Sequence, residues 1–319
     1  MRKRIMFAAV MLIVTSACAQ VKKTGIIGFY NVENLYDTLN DPDKDDEEFL
    51  PEGKNQWTQE RYNDKLKKMA QVMNDMGNLL VLGVCEIENE RVLRDVLKQR
   101  TDNKLAIVHY DSDDARGVDV GLFYDSTQLK LDNSGYLRYR TVVEDKPTRD
   151  ILWAKFSAGK QNVYFLVNHW PSRRGGEKES EPNRLKAADV SRNFIDSVTL
   201  VDKKAAFVFM GDLNDYPTNT APLKIAEKLT PMITKASGEF GGSYNYRGEW
   251  DVLDHIMVSS SLFKNKGFTV ISNSGKILSF PYLMTVYKGN KVPNRLYAGD
   301  KYLGGYSDHL PVSIEVQLK

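Results

Sequence analysis

Apolar runs of strand length recur from one end of the chain to the other, each closed by turn-forming residues. They predict strands over Ile26–Asn31, Leu79–Glu86, Ala106–Tyr110, Val118–Tyr124, Leu152–Phe156, Val163–His169, Ala205–Gly211, Val252–Val258 and Val312–Val316. Four segments carry helical spacing instead: Thr58–Met76, Val92–Gln99, Arg184–Val198 and Pro222–Leu229. In the first, Tyr62, Leu66, Met69, Ala70, Val72 and Met73 make an inner face, with Lys65, Lys67 and Lys68 expected on the outer one. Strands mixed with helices predict an α/β (α+β) architecture. Several neighbouring strands have no helix between them, which argues against a purely parallel sheet. No repeat and no linker interrupts the pattern, so residues 20–319 are expected to form a single domain.

The first nineteen residues follow different rules. Arg2, Lys3 and Arg4 precede an apolar run from Ile5 to Val14, too short to span a bilayer. The small residues Thr15-Ser16-Ala17-Cys18-Ala19 come next. This is the pattern of a signal peptide over residues 1–19, with export to the periplasm or beyond as the expectation. Ala17-x-Ala19 fits cleavage before Gln20, whereas Ser16-Ala17-Cys18 is similar to the end of a lipoprotein box, which would turn Cys18 into a lipid anchor.

Charge then limits the partners. The whole chain has 44 Lys+Arg against 42 Asp+Glu, net +2. Loss of Arg2, Lys3 and Arg4 leaves 41 against 42, net −1. An anionic substrate must be held by a local site, not by the overall field. Cys85, in the apolar run Leu79–Cys85, reads as a small core residue, and two cysteines make no disulfide framework.

Two polar segments read as loops. In Thr38–Trp57, Asp41, Asp43, Asp45 and Glu52 fall at positions one, three, five and twelve of a calcium-loop pattern. Asp46 stands where that pattern needs Gly, and Pro42 and Pro51 stiffen the segment, so a solvated acidic loop is expected. The second, Pro171–Pro182, holds Arg173, Arg174, Gly175 and Gly176. There Trp170 and Pro171 are expected to anchor the loop's base, and Trp170 with the two arginines to stack a base and follow a phosphate backbone. Neutralisation of the arginines by Glu177, Glu179 and Glu181 is the alternative.

The chemistry lies where the strands end. Asn31-Val32-Glu33-Asn34, Glu86, Asn168-His169, Gly211-Asp212-Leu213-Asn214, Asp254-His255 and Ser307-Asp308-His309 each close or border an apolar run. Strand ends on one sheet edge converge on one crevice. Three of the four histidines lie in these termini; His109 reads as structural. Carboxylates with a carboxamide suit a hard cation, Mg²⁺ or Mn²⁺. Cysteine–histidine clusters with zinc spacing, a phosphate-binding P-loop and a G-x-S-x-G elbow are absent from the sequence. A metal, an imidazole–carboxylate pair and Asn/Arg donors suit attack of water on a phosphate ester.

These motifs resemble those of the endonuclease/exonuclease/phosphatase superfamily, which includes pancreatic deoxyribonuclease and exonuclease III-type repair nucleases. The similarity runs from Ile26 to Val316, and Gly211-Asp212-Leu-Asn214 and Ser307-Asp308-His309 are its most specific pieces. The resemblance implies a four-layer αββα sandwich of two mixed sheets flanked by helices. It implies Glu86 as metal ligand, with Asn31, Glu33 and Asp308 nearby. His309 oriented by Asp254 is implied for water activation or phosphate binding. Asp212 follows as a further acid/base group, Asn214 as a phosphoryl donor, His169 beside the scissile phosphate and Arg149 as a phosphate-binding Arg. Arg116 and Asp119 match a motif with no role assigned, a structural ion pair being one reading.

The leading expectation is an exported Mg²⁺-dependent phosphodiesterase acting on nucleic acid, with no obligate protein partner. A phospholipid (sphingomyelinase-like) or inositol-phosphate hydrolase on the same fold is the alternative, for which an aromatic membrane-dipping segment such as Phe280–Met284 would speak, although that run reads as core. A binding module without catalysis is a third reading, opposed by the complete residue set.

Overall fold

The computed structural model describes residues 23–102, 104–158, 161–264 and 267–318. The expected signal peptide and the Cys18 anchor lie outside the described residues. In chain order the elements are β1 (Lys23–Leu35), α1 (Gln59–Asp75), β2 (Leu79–Ile87), α2 (Glu90–Lys98), β3 (Leu105–His109) and β4 (Asp119–Asp125). Next come β5 (Lys130–Leu137), β6 (Ile151–Ala158), β7 (Gln161–His169), α3 (Glu177–Val201), β8 (Ala206–Asp212), α4 (Thr220–Ala226) and β9 (Thr230–Pro231). A hairpin of β10 (Tyr244–Tyr246) and β11 (Glu249–Asp251) precedes β12 (Asp254–Val258), β13 (Phe268–Val270) and β14 (Lys276–Ile277). Two small hairpins, β15 (Met284–Tyr287) with β16 (Asn290–Pro293) and β17 (Tyr297–Ala298) with β18 (Lys301–Tyr302), lead to β19 (Val312–Leu318).

Two large sheets result. One has the order β13-β19-β1-β2-β4-β3, with β14 also on β19; the other has the order β5-β6-β7-β8-β12-β9. The pairs β1/β2 and β7/β8 are parallel, so both sheets are mixed. Strand alternation stacks the layers. In β7, Val163, Phe165 and Val167 pack into the core between the sheets, whereas Leu166 joins Phe207 and Phe209 of β8 against Ala187, Ala188 and Ile195 of α3. On the outer side of the other sheet, α1 contributes Leu66, Met69 and Met73 to the main core.

Three expectations change here. Lys65 is fully buried, not on the outer face of α1, and its Nζ donates to the Tyr306 carbonyl. It lies three residues after Tyr62 and four before Met69, on the inward stripe. Helix α3 starts at Glu177, so residues 177–182 are helix and not loop. Tertiary contacts outweigh Pro182: Asn183 Oδ1 accepts the N–H groups of Val142 and Val143, and Arg184 pairs with Asp215 at 2.7 Å. The edge strand β5 has no apolar run and was not expected.

Phe280, Tyr282 and Met284 pack against the main core, as expected for that segment. In the acidic loop, Asp46 is buried and accepts the Asp41 N–H, so this part of the loop is folded in, not solvated.

Candidate active site

The two parallel strand pairs end at the same edge of the sandwich. Register then sets the neighbours: His169 lies opposite Asp212, and Asp212 opposite Asp254, across β7, β8 and β12. Directly opposed residues share a face, so these three side chains crowd together. His255 is one residue out of phase, opposite Gly211. Its Nε2 meets the Asp215 carbonyl at 2.9 Å, and burial pushes its pKa down to about 4. It is a structural histidine, which corrects its grouping with the other two.

Local strain presents the acidic residues. The β1/β2 register slips between Asn31 and Leu35, and the β2/β4 register slips between Cys85 and Ile87. Bulges of this kind re-aim side chains at sheet rims. Glu33, Asn34, Glu86 and Asn214 all take left-handed backbone, with φ of 49°, 54°, 61° and 49°. Such backbone costs about 1–3 kcal/mol per residue and concentrates at functional sites. Glu86 Oε2 accepts the Asn34 N–H at 3.1 Å, while Asn31 Nδ2 donates to both Glu86 Oε1 and Asp212 Oδ2 at 3.1 Å. Asn31 thus ties the two carboxylates of the two sheets together.

His309 arrives from the turn before β19. Its Nδ1 hydrogen-bonds Asp254 Oδ2 at 2.7 Å, and its Nε2 faces Asp212 Oδ2 at 3.7 Å. Burial alone would lower its pKa, but the carboxylates of Asp254 and Asp212 outweigh it and hold the imidazole well above its ordinary value. Asp212 is pushed up to about 7, chiefly by burial, against the pull of His309. His169 goes the other way: burial, then the Arg149 and Arg116 charges, push it well down. Two neighbouring imidazoles are therefore shifted in opposite directions.

Several positions escaped the sequence reading. Ser307 Oγ donates to the Asn31 carbonyl at 2.7 Å and accepts the His309 N–H at 3.0 Å, locking the turn to β1. Ser243 Oγ accepts the Asp254 N–H, and the Ser243 carbonyl accepts the Leu310 N–H. Tyr244 lies over His309 with ring centroids 4.7 Å apart. Only the Ser-Asp-His context marks Ser307; nothing local marks Ser243 or Tyr244.

Other predicted residues are placed differently. The Glu33 carboxylate accepts the N–H groups of Leu296 and Tyr297 and lies 3.6 Å from Arg295. Both oxygens are committed to that segment, which corrects its place in the metal set. Asp308 is held by Arg295 at 2.9 Å, an internal cation where a metal contact was expected. Arg149 is buried between Asp114 and the Trp170 carbonyl, and so supports the loop after His169. Asn214 Nδ2 also donates to that carbonyl, at 3.1 Å. Trp170 is fully buried with Nε1 on Asn168 Oδ1, so it anchors the loop and cannot stack a base. Arg173 donates to the Asn214 carbonyl, pairs with Glu177 and covers the Tyr216 ring at 3.8 Å; only Arg174 is exposed. Arg116 pairs with Asp114, while Asp119 faces His109 and accepts the Ser112 N–H, so those two residues do not pair with each other.

The chain matches the profile of the endonuclease/exonuclease/phosphatase family over residues 26–318. It belongs to that family. Structural relatives agree with this family's fold. An endonuclease/exonuclease/phosphatase family protein from Bacteroides thetaiotaomicron is 16% identical at TM-score 0.59, over 93% of this chain and 99% of that one. A mannosyl-6-phosphatase from the same organism is 17% identical at TM-score 0.58, over 92% and 99%. D. rerio TDP2, complexed with a single-strand DNA product, is 15% identical at TM-score 0.56, over 92% and 98%. A comparison with curated proteins finds none that matches. The family member described here is accordingly a phosphoesterase-type hydrolase of the four-layer fold.

Proposed function

We propose that this chain is an exported, divalent-cation-dependent phosphodiesterase that cleaves nucleic acid by in-line attack of water. One observation carries the reading: Asn31, Glu86, His169, Asp212, Asp254 and His309 meet in one cleft, and only Glu86 keeps a substantial opening to solvent, at 19% side-chain exposure. The donor set fits a hard cation. Glu86 would hold Mg²⁺ or Mn²⁺, which would polarise a phosphoryl oxygen, whereas Asn31 would orient the carboxylates through Nδ2 and not ligate as expected, because its Oδ1 already accepts the Glu33 N–H at 2.9 Å.

The chain's own groups supply the rest. Asp254 fixes the His309 ring so that Nε2–H points into the cleft, where it would hold a phosphoryl oxygen or protonate the leaving oxygen. Asp212, buried and without an Arg or Lys partner among the described residues, is the group suited to take a proton from water. A pKa near the working pH is what a general base needs. His169, kept neutral, lines the phosphate without adding a charge.

Support for nucleic acid comes from the β10–β11 hairpin. Tyr244 packs on His309, and exposed Tyr246 with Arg247 stacked on it at 5.1 Å lies further out on the same hairpin. Aromatic and guanidinium groups in succession suit splayed bases. The relatives' range, a sugar phosphatase and a DNA-bound protein, is compatible with this. A second reading has its own observation: Val286 and Tyr287 are 68% and 61% exposed at the β15–β16 turn, beside Lys288 and Lys291. That combination suits a phospholipid surface.

The test presents plasmid DNA, RNA, sphingomyelin vesicles, inositol phosphates and mannose 6-phosphate side by side with Mg²⁺. Cleavage of DNA or RNA that is lost with chelator and with Glu86→Gln is the expected result. Turnover of lipid or sugar phosphate alone would replace the nucleic-acid reading.

A further inference from the structure

We propose that Cys85, His169 and Asp212 form an inhibitory site for a thiophilic divalent cation, Zn²⁺ foremost, on the floor of the cleft. The inference rests on the hydrolase reading above and adds a means of switching it off. Ligand atoms of the three side chains lie within 4.8 Å of one another. Zinc bonds of about 2.0–2.3 Å place tetrahedral ligands about 3.3–3.8 Å apart, so the cluster needs only side-chain contraction. Sequence spacing hides it, because β2, β7 and β8 each bring one donor.

His169 is the group that asks for a ligand. It is 5% exposed, its Nδ1 has no hydrogen-bond partner among the described residues, and its Nε2 lies 3.8 Å from both Glu86 and Asp212. Buried polar groups are ordinarily satisfied; Nε2, the nitrogen that faces Asp212, lies beyond hydrogen-bond reach of both carboxylates, and an imidazole nitrogen left open inside a cluster of metal-binding side chains points to an ion. The neighbouring trio of Asp212, Asp254 and His309 is different: His309 Nδ1 is already bonded to Asp254 at 2.7 Å. Cys85 changes the selectivity. One sulfur, one nitrogen and one oxygen donor suit zinc, whereas Mg²⁺ takes oxygen alone.

Occupancy has a cost for catalysis. Zinc entering past Glu86 would displace the Cys85 thiol proton to solvent and take both Asp212 and His169. The candidate base and the residue lining the phosphate would then be withdrawn together, leaving the Mg²⁺ position at Glu86 crowded by a second cation.

The test uses the full chain with Co²⁺ as a spectroscopic probe, Zn²⁺ as competitor and bis(4-nitrophenyl) phosphate as substrate. Wild type should show a thiolate-to-cobalt charge-transfer band that Zn²⁺ extinguishes, and X-ray absorption of the zinc form should show one sulfur at about 2.3 Å. Cys85→Ala should lose the band, keep its Mg²⁺-supported hydrolysis, and need at least about tenfold more zinc for inhibition, since even indirect metal partners are worth about 10–100-fold. Cys85→Ser serves the same purpose if the alanine variant fails to fold. A zinc shell without sulfur, or equal zinc sensitivity in wild type and variant, would overturn the proposal. Absence of hydrolysis on every substrate would instead remove the hydrolase reading, while the sulfur shell still decides whether the site exists.

Discussion

The turn that leaves β8 buries two carboxylates three residues apart, Asp212 at 2% and Asp215 at 1% exposure. Asp215 meets Arg184 at 2.7 Å and has Arg173 at 3.7 Å. Among the described residues Asp212 meets no Arg or Lys; its neighbours are the Asn31 amide, the Asn214 N–H at 2.9 Å and two imidazoles at 3.7–3.8 Å. Burial raises both, Asp215 to about 6 against the Arg184 charge and Asp212 to about 7. Equal burial therefore marks nothing by itself. A carboxylate given its own cation holds the fold together, and one denied a cation is left for a proton, a metal or a substrate.

The sharpest way to break this contrast is to neutralise each acid. Asp212→Asn should lose about 10²–10⁴ in kcat while melting no lower than wild type at neutral pH. In the same cleft, His309→Ala and Asp254→Ala should each cost as much as the two together, because they act as one unit. A product of independent losses in steady-state kinetics would dissolve the pair. Arg184→Met should do the opposite of Asp212→Asn: about 3–5 kcal/mol of stability lost in urea titration, with near-normal activity per folded molecule. Equal stability in that variant would mean Asp215 is not held by its cation.

Proton linkage sharpens the comparison further. A carboxylate whose pKa rises on folding binds its proton more tightly in the native chain. For Asp212 that favours the fold below pH 3.8 and is lost as pH climbs to about 7. The metal-free protein should therefore melt lower across that interval, with a shallower fall in Asp212→Asn. In the loaded enzyme, the acid limb of kcat/KM should lie at or below pH about 7 and move with Asp212, since a nearby cation favours the carboxylate. The smallest effect is expected at the loop: Arg174→Ala should reduce the salt slope of polynucleotide binding by about 1, read by fluorescence titration. An unchanged slope would leave both arginines of that loop out of substrate binding.

Much of the site was legible because strand ends are local. Asn31, Glu86, His169, Asp212 and His309 each close or border an apolar run, and those runs became strands close to the expected bounds. What could not be read is which polar ends cancel. Arg173 meets Asp215 forty-two positions on, and Arg295 meets Glu33 from the far end of the chain. Such pairings are tertiary and leave no spacing to detect. Phase was the other blind spot. Lys65 sits in a basic run yet faces inward, and Trp170 follows the strand by one residue yet turns in. A difference of one position decides between core and surface in a strand, and of about 100° in a helix.

The pairing of β1 with β19 has a consequence for how the molecule comes into being. Lys23 lies opposite Leu318 and Phe29 opposite Val312, so the first strand to be made waits for the last as its antiparallel neighbour in the middle of the sheet. Such long-range closure is slow, and until it happens β1 has one open edge able to recruit strangers. The turn before that strand brings Ser307 to the Asn31 carbonyl and His309 to Asp254. Closure and site assembly thus coincide: until β19 docks on β1 there is neither a finished sheet nor His309 set against Asp254.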